Sequence, residues 1–205
     1  RYVAWLGMAE IIEDAEEVRA FEAMGKNIAD EAEFFLALLH HFDRDLHWHY
    51  LAANKDPELI KELLLHPKLL PGFNDSGAHV TNMAFFDGNL RALKIGLQDS
   101  EEVFSHMLSR LTQEPAEFFG LDVGRLEVGA RADMALFNPT NLAKYDGEAS
   151  VQYQYRDVFD CHQLVNRSDG VVGGVFVGGE CVWQGEKFTK VHGKKSLAGA
   201  LRAAK

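Results

Sequence analysis

Leu69-Leu70-Pro71-Gly72-Phe73, running into Asn74-Asp75-Ser76-Gly77-Ala78-His79, decides how the chain is read. The first five residues are a short apolar run, the pattern of a buried strand, and the next six are small or polar, the pattern of a loop at its carboxyl end. In a parallel β/α architecture catalytic groups gather at that end, because the strand holds its last residues rigidly while the loops are free to vary. A carboxylate placed there can take a proton from a metal-bound water and pass it to a leaving amine, which makes Asp75 the candidate catalytic group. Ser76 and Gly77 allow a tight turn that brings His79 toward the same pocket. The same residues also read as a plain turn in which Asp75 caps the backbone from Ser76 to Ala78.

The surroundings of this stretch alternate between strand and helix. Leu46 to Leu51 is a short aromatic run of strand type. Asp56-Pro57 opens a helix, with Asp56 as cap and Pro57 at the first helical position, and Leu59, Ile60, Leu63 and Leu64 are expected to face inward. His66-Pro67 ends it, since the residue before a proline disfavours the α region. Nearer the N-terminus one helix carries Val18, Phe21 and Met24 and stops at Gly25. A second is expected from about Ile28 to His41, with Ala32, Phe35, Leu36 and Leu39 as its buried stripe.

Downstream, Asp99 and Glu102 are placed as reciprocal caps of a helix whose face is Val103, Phe104, Met107, Leu108 and Leu111. Pro115 and Gly120 bracket a short helix over Pro115 to Phe119. From Leu121 the composition shifts toward Gly and strand formers, so a domain boundary is placed near Leu121 to Gly124. Ala132 to Phe137 reads as a strand closed by Asn138-Pro139. Val175 to Trp183 reads as a hairpin about Gly178-Gly179 that pairs Phe176 with Cys181 and Val175 with Val182. The polar stretch from Asn141 to Ser168 takes no assignment.

Composition removes several classes of function. Of 205 residues 47 % are hydrophobic and 11 % aromatic, enough for a packed core, and the formal net charge of −10 leaves no basic surface for nucleic acid. The longest apolar runs, such as Phe34 to Leu39, fall far short of the roughly 18 to 20 residues of a membrane span. Cys161 and Cys181 form no CxxC pair, and they read as a loop thiol and a small buried hydrophobe in a chain expected to be cytoplasmic. His47-Trp48-His49 puts two imidazoles on one side of a strand, a zinc-like arrangement, but His40, His41 and His66 have no register toward it. Paired strand histidines facing a barrel interior or solvent are the commoner case. Arg1-Tyr2-Val3-Ala4-Trp5-Leu6, without an initiator Met or signal peptide, reads as the middle of an element and suggests a fragment.

Three stretches together resemble a known family. Leu70 to Val80, then Leu111-Thr112-Gln113-Glu114-Pro115-Ala116-Glu117-Phe118-Phe119-Gly120-Leu121, then Gly124-Arg125-Leu126-Glu127-Val128-Gly129-Ala130-Arg131-Ala132-Asp133-Met134-Ala135-Leu136-Phe137, are similar in order and spacing to the C-terminal part of an amidohydrolase. The likeness is greatest to the N-acyl-D-amino-acid deacylases, or D-aminoacylases. Gly174 to Gly179 is similar to that family's closing hairpin, with Gly178 where its turn usually has Asn.

The resemblance implies an α/β plus β fold: the C-terminal portion of a metal-dependent (β/α)8 TIM barrel over residues 1–122, followed by part of a small β-sandwich domain over 123–205. It implies that Asp75 lies at the metal, zinc in the parent enzyme, and acts on the hydrolytic water. Ser76, Gly77 and His79 would border the substrate, Gly129 would permit a turn, and Asp133 would be structural. A barrel takes about 250 residues, so its first six strands and the remaining ligands are expected to be absent, and His47 and His49 fit the seventh strand rather than the first. The parent enzyme would hydrolyse a linear amide such as an N-acyl-D-amino acid, while this fragment alone would be inactive and would self-associate through its open barrel edge. Two other readings remain: an amidohydrolase acting on a different amide, or a non-enzymatic module that binds a partner.

Overall fold

The computed structural model describes residues 23, 30–43, 56–72, 82–83 and 87–203. The chain divides into two compact units, Arg1–Lys55 and Asp56–Lys205. In the first unit one helix is described, α1 (Glu31–Phe42). Asp30 caps it, its carboxylate accepting from the amides of Ala32 and Glu33. Phe34 and Leu38 are its buried residues, while Leu36 and Leu39 are exposed. This corrects the expected stripe: Phe34-Phe35-Leu36-Ala37-Leu38-Leu39 is apolar on every side, so its period does not mark one face. The expected helix over Val18 to Met24 and the strand over Leu46 to Leu51, with His47 and His49, fall outside the described residues.

The second unit begins with α2 (Pro57–Leu65), capped as the sequence implies: Asp56 accepts from the amides of Glu58 and Leu59, and Pro57 occupies the first turn. His66 ends it in an extended conformation before Pro67. Leu59 and Leu63, expected to face inward, are exposed, and Leu64 and Leu65 are the residues that reach the core. Leu69 to Gly72 forms no strand. Pro71 has no amide proton for a ladder and Gly72 sits at φ +134°, outside the extended region of other residues.

The core is helical. α3 (Gly88–Asp99) and α4 (Glu101–Leu111) pack side by side, and α5 (Gln113–Phe118) follows directly. Ala92, Leu93, Met107, Leu142, Tyr145 and Val171 form the buried cluster, with Leu64, Leu65, Phe104, Leu108, Leu111 and Phe137 against it. Ser100, not Asp99, caps α4: its hydroxyl accepts from the Val103 amide, while Asp99 closes the preceding helix and pairs with Lys61 at 2.9 Å. α5 ends as expected, with Gly120 at φ +64° and the Leu121 amide bonded back to the Ala116 carbonyl.

Two sheets complete the unit. β1 (Asn82–Met83) lies parallel to β4 (Cys161–Asn166), which pairs antiparallel with β3 (Val151–Arg156). The second sheet runs β2 (Met134–Phe137), β5 (Val172–Val177), β6 (Glu180–Gln184), β7 (Lys187–Phe188). Asn138-Pro139 closes β2 and also starts a helix, α6 (Pro139–Lys144), through the Asn138 side-chain cap. The β5–β6 hairpin turns at Gly178-Gly179, both at positive φ, and Phe176 pairs with Cys181 as expected. Val175 faces Trp183 rather than Val182, because a bulge between Val175 and Phe176 shifts the register by one. The described residues contain no closed barrel, and no helix among them is long and apolar enough to cross a membrane.

Candidate functional site

Asp75, Ser76, Gly77 and His79 lie outside the described residues. The structure describes how the chain is held on either side of them.

On the upstream side the grip is Arg110. It stands on α4 three residues after Met107, on the face that packs inward, and is 1 % exposed. A guanidinium buried this fully must satisfy its donors, and it does so with backbone oxygens: Nε donates to the Leu64 carbonyl (2.9 Å), Nη2 to the carbonyls of His66 (2.8 Å) and Leu69. Nη1 donates to Glu114 Oε2 at 2.7 Å, and Glu114 also faces His106 at 3.4 Å. Arg110 thereby closes the carbonyl end of α2 and fixes the turn that leads into Leu70-Pro71-Gly72.

On the downstream side the grip is Asp87, 5 % exposed, at the start of α3. Its carboxylate does not cap that helix. Asp87 Oδ2 instead accepts from Arg91 Nε at 2.6 Å and from the Tyr145 hydroxyl at 2.9 Å, which also reaches Asn166 Oδ1 at 2.7 Å. Asn166 donates to the Gly147 carbonyl at 2.8 Å, and Lys94 donates to the Tyr145 carbonyl at 2.5 Å. Burial and the adjacent Asp87 carboxylate hold the Tyr145 phenol neutral well above its ordinary range. Gly147 is buried against this pair: a Cβ there would stand 2.2 Å from Asp87 Oδ2 and 2.5 Å from Arg91 Nη2. β1 lies between the two grips, hydrogen-bonded to β4 beside Leu164 and Val165.

The second and third sequence motifs touch one another, and the second holds the arginine that closes the end of α2 ahead of the first. Glu114 of the second holds Arg110, whose other bonds go to the carbonyls of Leu64, His66 and Leu69. Gly124, which opens the third, sits at φ +84° against the α4–α5 junction, where a Cβ would be 2.6 Å from the Thr112 carbonyl oxygen. Asp133, expected to be structural, accepts from the Gly178 amide at 2.7 Å, and the Ala132 carbonyl accepts from Gly179, so the third motif holds the β5–β6 turn. Gly129 is at φ +92°, as a turn requires.

No group of three or more His, Cys, Asp or Glu among the described residues is arranged to hold a metal ion, so these residues do not by themselves fit one. Cys161 opens β4 and Cys181 lies on β6; both are free and half-buried, which corrects the loop placement of Cys161. His66 ends α2 and its Nδ1 accepts from the Lys68 amide at 3.2 Å. Arg110, Asp87 and Tyr145 escaped the reading of the sequence. Arg110 carries a signal, being a charge at an inward position of an otherwise apolar stripe. Asp87 and Tyr145, 58 positions apart, carry none.

The family model described as "Amidohydrolase family" matches residues 70–182. "Uncharacterized protein Rv2913c" of Mycobacterium tuberculosis (strain ATCC 25618 / H37Rv) and "Uncharacterized protein Mb2937c" of Mycobacterium bovis are each 37 % identical over 164 residues. The alignment covers 76 % of this chain and 26 % of each relative, so the chain spans about a quarter of the length of the curated relatives it matches. No solved structure matches it.

Proposed function

The chain belongs to the amidohydrolase family, and on that premise we propose that it is part of an enzyme hydrolysing a linear amide, the N-acyl-D-amino acids being the substrate class. The observation that carries this reading is that the matched span, 70–182, takes in all three motifs in order, with Asp75 in the first. Members of the family are metal-dependent hydrolases of the TIM-barrel superfamily. We assign residues 1–122 to the barrel and 123–205 to a small β-sandwich domain, zinc to the parent enzyme, and a reducing cytoplasm to a chain whose two cysteines are free.

In this reading Asp75 takes the proton of the attacking water and delivers it to the departing amine, the work of a general acid/base worth about 10²–10⁴-fold in rate. Ser76, Gly77 and His79 border the substrate. The described residues hold no metal cluster, so no step is assigned to them through a metal. The isolated chain also self-associates in this reading, since Phe118, Leu126 and Val128 stand 73 %, 79 % and fully exposed.

The test is hydrolysis of N-acetyl-D-amino acids and their L-enantiomers by the full-length protein, with elemental analysis of the purified enzyme. The expected result is D-selective turnover with bound zinc, a loss of at least about 10²-fold in Asp75→Asn, and no turnover by the 205-residue chain alone. L-selective turnover, or an Asp75→Asn variant as active as the parent, would overturn the reading.

A further inference from the structure

We propose that residues 187–205 are a docking surface for an anionic phospholipid membrane, to which the protein binds peripherally. The formal charge of −10 hides a segregation. This segment holds six Lys and Arg (Lys187, Lys190, Lys194, Lys195, Arg202 and Lys205) and no Asp or Glu, so residues 1–186 carry −16. Lys187, Lys190, Lys194, Lys195 and Arg202 are all exposed. Among these five only Lys195 is in an ion pair with a described residue, Glu180 at 2.6 Å. Cations gathered in one segment and left unneutralised by a chain with 31 acidic residues form a surface for an anion from outside it.

The conformation of the segment points the same way. Beyond β7, residues 189–203 form neither helix nor strand. Yet ten of the twelve residues from Lys194 to Lys205 are Ala, Leu, Lys or Arg, all strong helix formers. At helical spacing Leu197, Ala200, Leu201 and Ala204 share one side, with Lys195 and Arg202 opposite and Lys194 and Lys205 at its borders. A segment this short does not hold a helix in water unless that side has a surface to pack on. Here Leu201 is 49 % exposed. From Lys195 onward the ties among the described residues are the Glu180 pair and a bond from Arg131 Nη1 to the Gly199 carbonyl at 3.4 Å. Both lie at the surface, where such contacts are weak and exchangeable. An anionic bilayer supplies both missing partners: phosphates for the cations, and an apolar boundary for Leu197, Leu201 and the exposed Phe188. A nucleic acid would answer the charge alone, because leucines gain nothing from a phosphate backbone.

The experiment uses the full-length protein with vesicles of phosphatidylcholine, pure or containing phosphatidylglycerol, and reads co-sedimentation together with tryptic cleavage after Lys190, Lys194 and Arg202. The expected result is retention by the phosphatidylglycerol vesicles alone, lost at high salt, with cleavage at these sites slowed when those vesicles are present. Each cation removed should weaken binding about fivefold. Lys190→Gln combined with Lys194→Gln therefore lowers affinity about tenfold or more, and Leu201→Ser lowers it without moving the melting temperature. No retention, equal retention on neutral vesicles, or a double variant that binds as well as the parent would overturn the proposal. Resistance of the segment to trypsin without vesicles would show that the rest of the protein covers it, and would overturn it as well. Tighter binding to single-stranded RNA than to the anionic vesicles would make this a nucleic-acid surface instead, with the same consequence.

Discussion

Replacing Gly147 by Ala tests the buried Asp87 cluster directly. The added methyl group would stand 2.2 Å from Asp87 Oδ2, 2.5 Å from Arg91 Nη2 and 2.7 Å from Arg91 Cζ. The Arg91 side chain is about half exposed and its end can swing into solvent, but Asp87 is buried and tied to Tyr145 as well. The carboxylate must therefore retreat by about an ångström, at the expense of charge-assisted bonds worth about 1.5–3 kcal/mol each. The lower entropy of an unfolded chain carrying Ala returns about 0.4–1 kcal/mol. A net destabilisation of about 2–3 kcal/mol follows when one such bond is lost fully and the other in part. The assay is urea denaturation of the 205-residue chain followed by circular dichroism, with the slope required to stay constant so that the midpoint reports stability. A double-mutant cycle separates the two contacts: in an Arg91→Ala background most of the penalty persists, whereas in an Asp87→Ser background it falls below about 1 kcal/mol. A Gly147→Ala chain within about 0.5 kcal/mol of the parent, the usual range for surface changes, would refute the argument.

Two further predictions concern the same unit. The Tyr145 phenol is raised from an ordinary value of 10.0 by burial and by Asp87, so the unfolded chain releases this proton first as pH rises. Stability from Tyr145 is complete below pH 10 and is lost above it; the melting temperature should fall above pH 10, and Tyr145→Phe should flatten that fall while Tyr155→Phe leaves the buried component in place. Asp133→Ala removes the acceptor of the Gly178 amide at an exposed turn, a loss of about 0.5–1.5 kcal/mol, and faster hydrogen exchange at Gly178 is the measurement that checks it.

The parts of the fold legible in the sequence are those whose cause is local. Asp56-Pro57 starts a helix, His66-Pro67 stops one, and Gly178-Gly179 turns a hairpin because each acts on its immediate neighbours through a cap, a missing amide or a positive φ. α3 passed unread because its buried face consists of Ala92, Leu93 and Gly96, small residues with little periodic signal. The β3–β4 hairpin was hidden for the opposite reason. Val151-Gln152-Tyr153-Gln154-Tyr155-Arg156 alternates as a strand should, yet Tyr153 and Tyr155 are 42 % and 50 % exposed while Gln163 on the partner strand is 2 % exposed. Polarity there runs against the inside-outside rule on which the pattern depends. At the site, the family motifs were legible, but the supports were not: Arg110 acts on carbonyls that any residue would present, so Leu64, His66 and Leu69 bear no mark of it.

The parallel pairing of β1 with β4 joins Asn82 to Leu164, 82 positions further along the chain. On the ribosome, at roughly 5–20 residues per second, β4 is completed some 4–16 seconds after β1 has been made. Until then β1 has no ladder, whereas β3 and β4 are joined by a short loop and can pair as soon as both exist. Topology therefore sets the order to be expected: β3 and β4 can pair with each other before β1 joins them, and the β1–β4 ladder can close only when most of this chain has been synthesised.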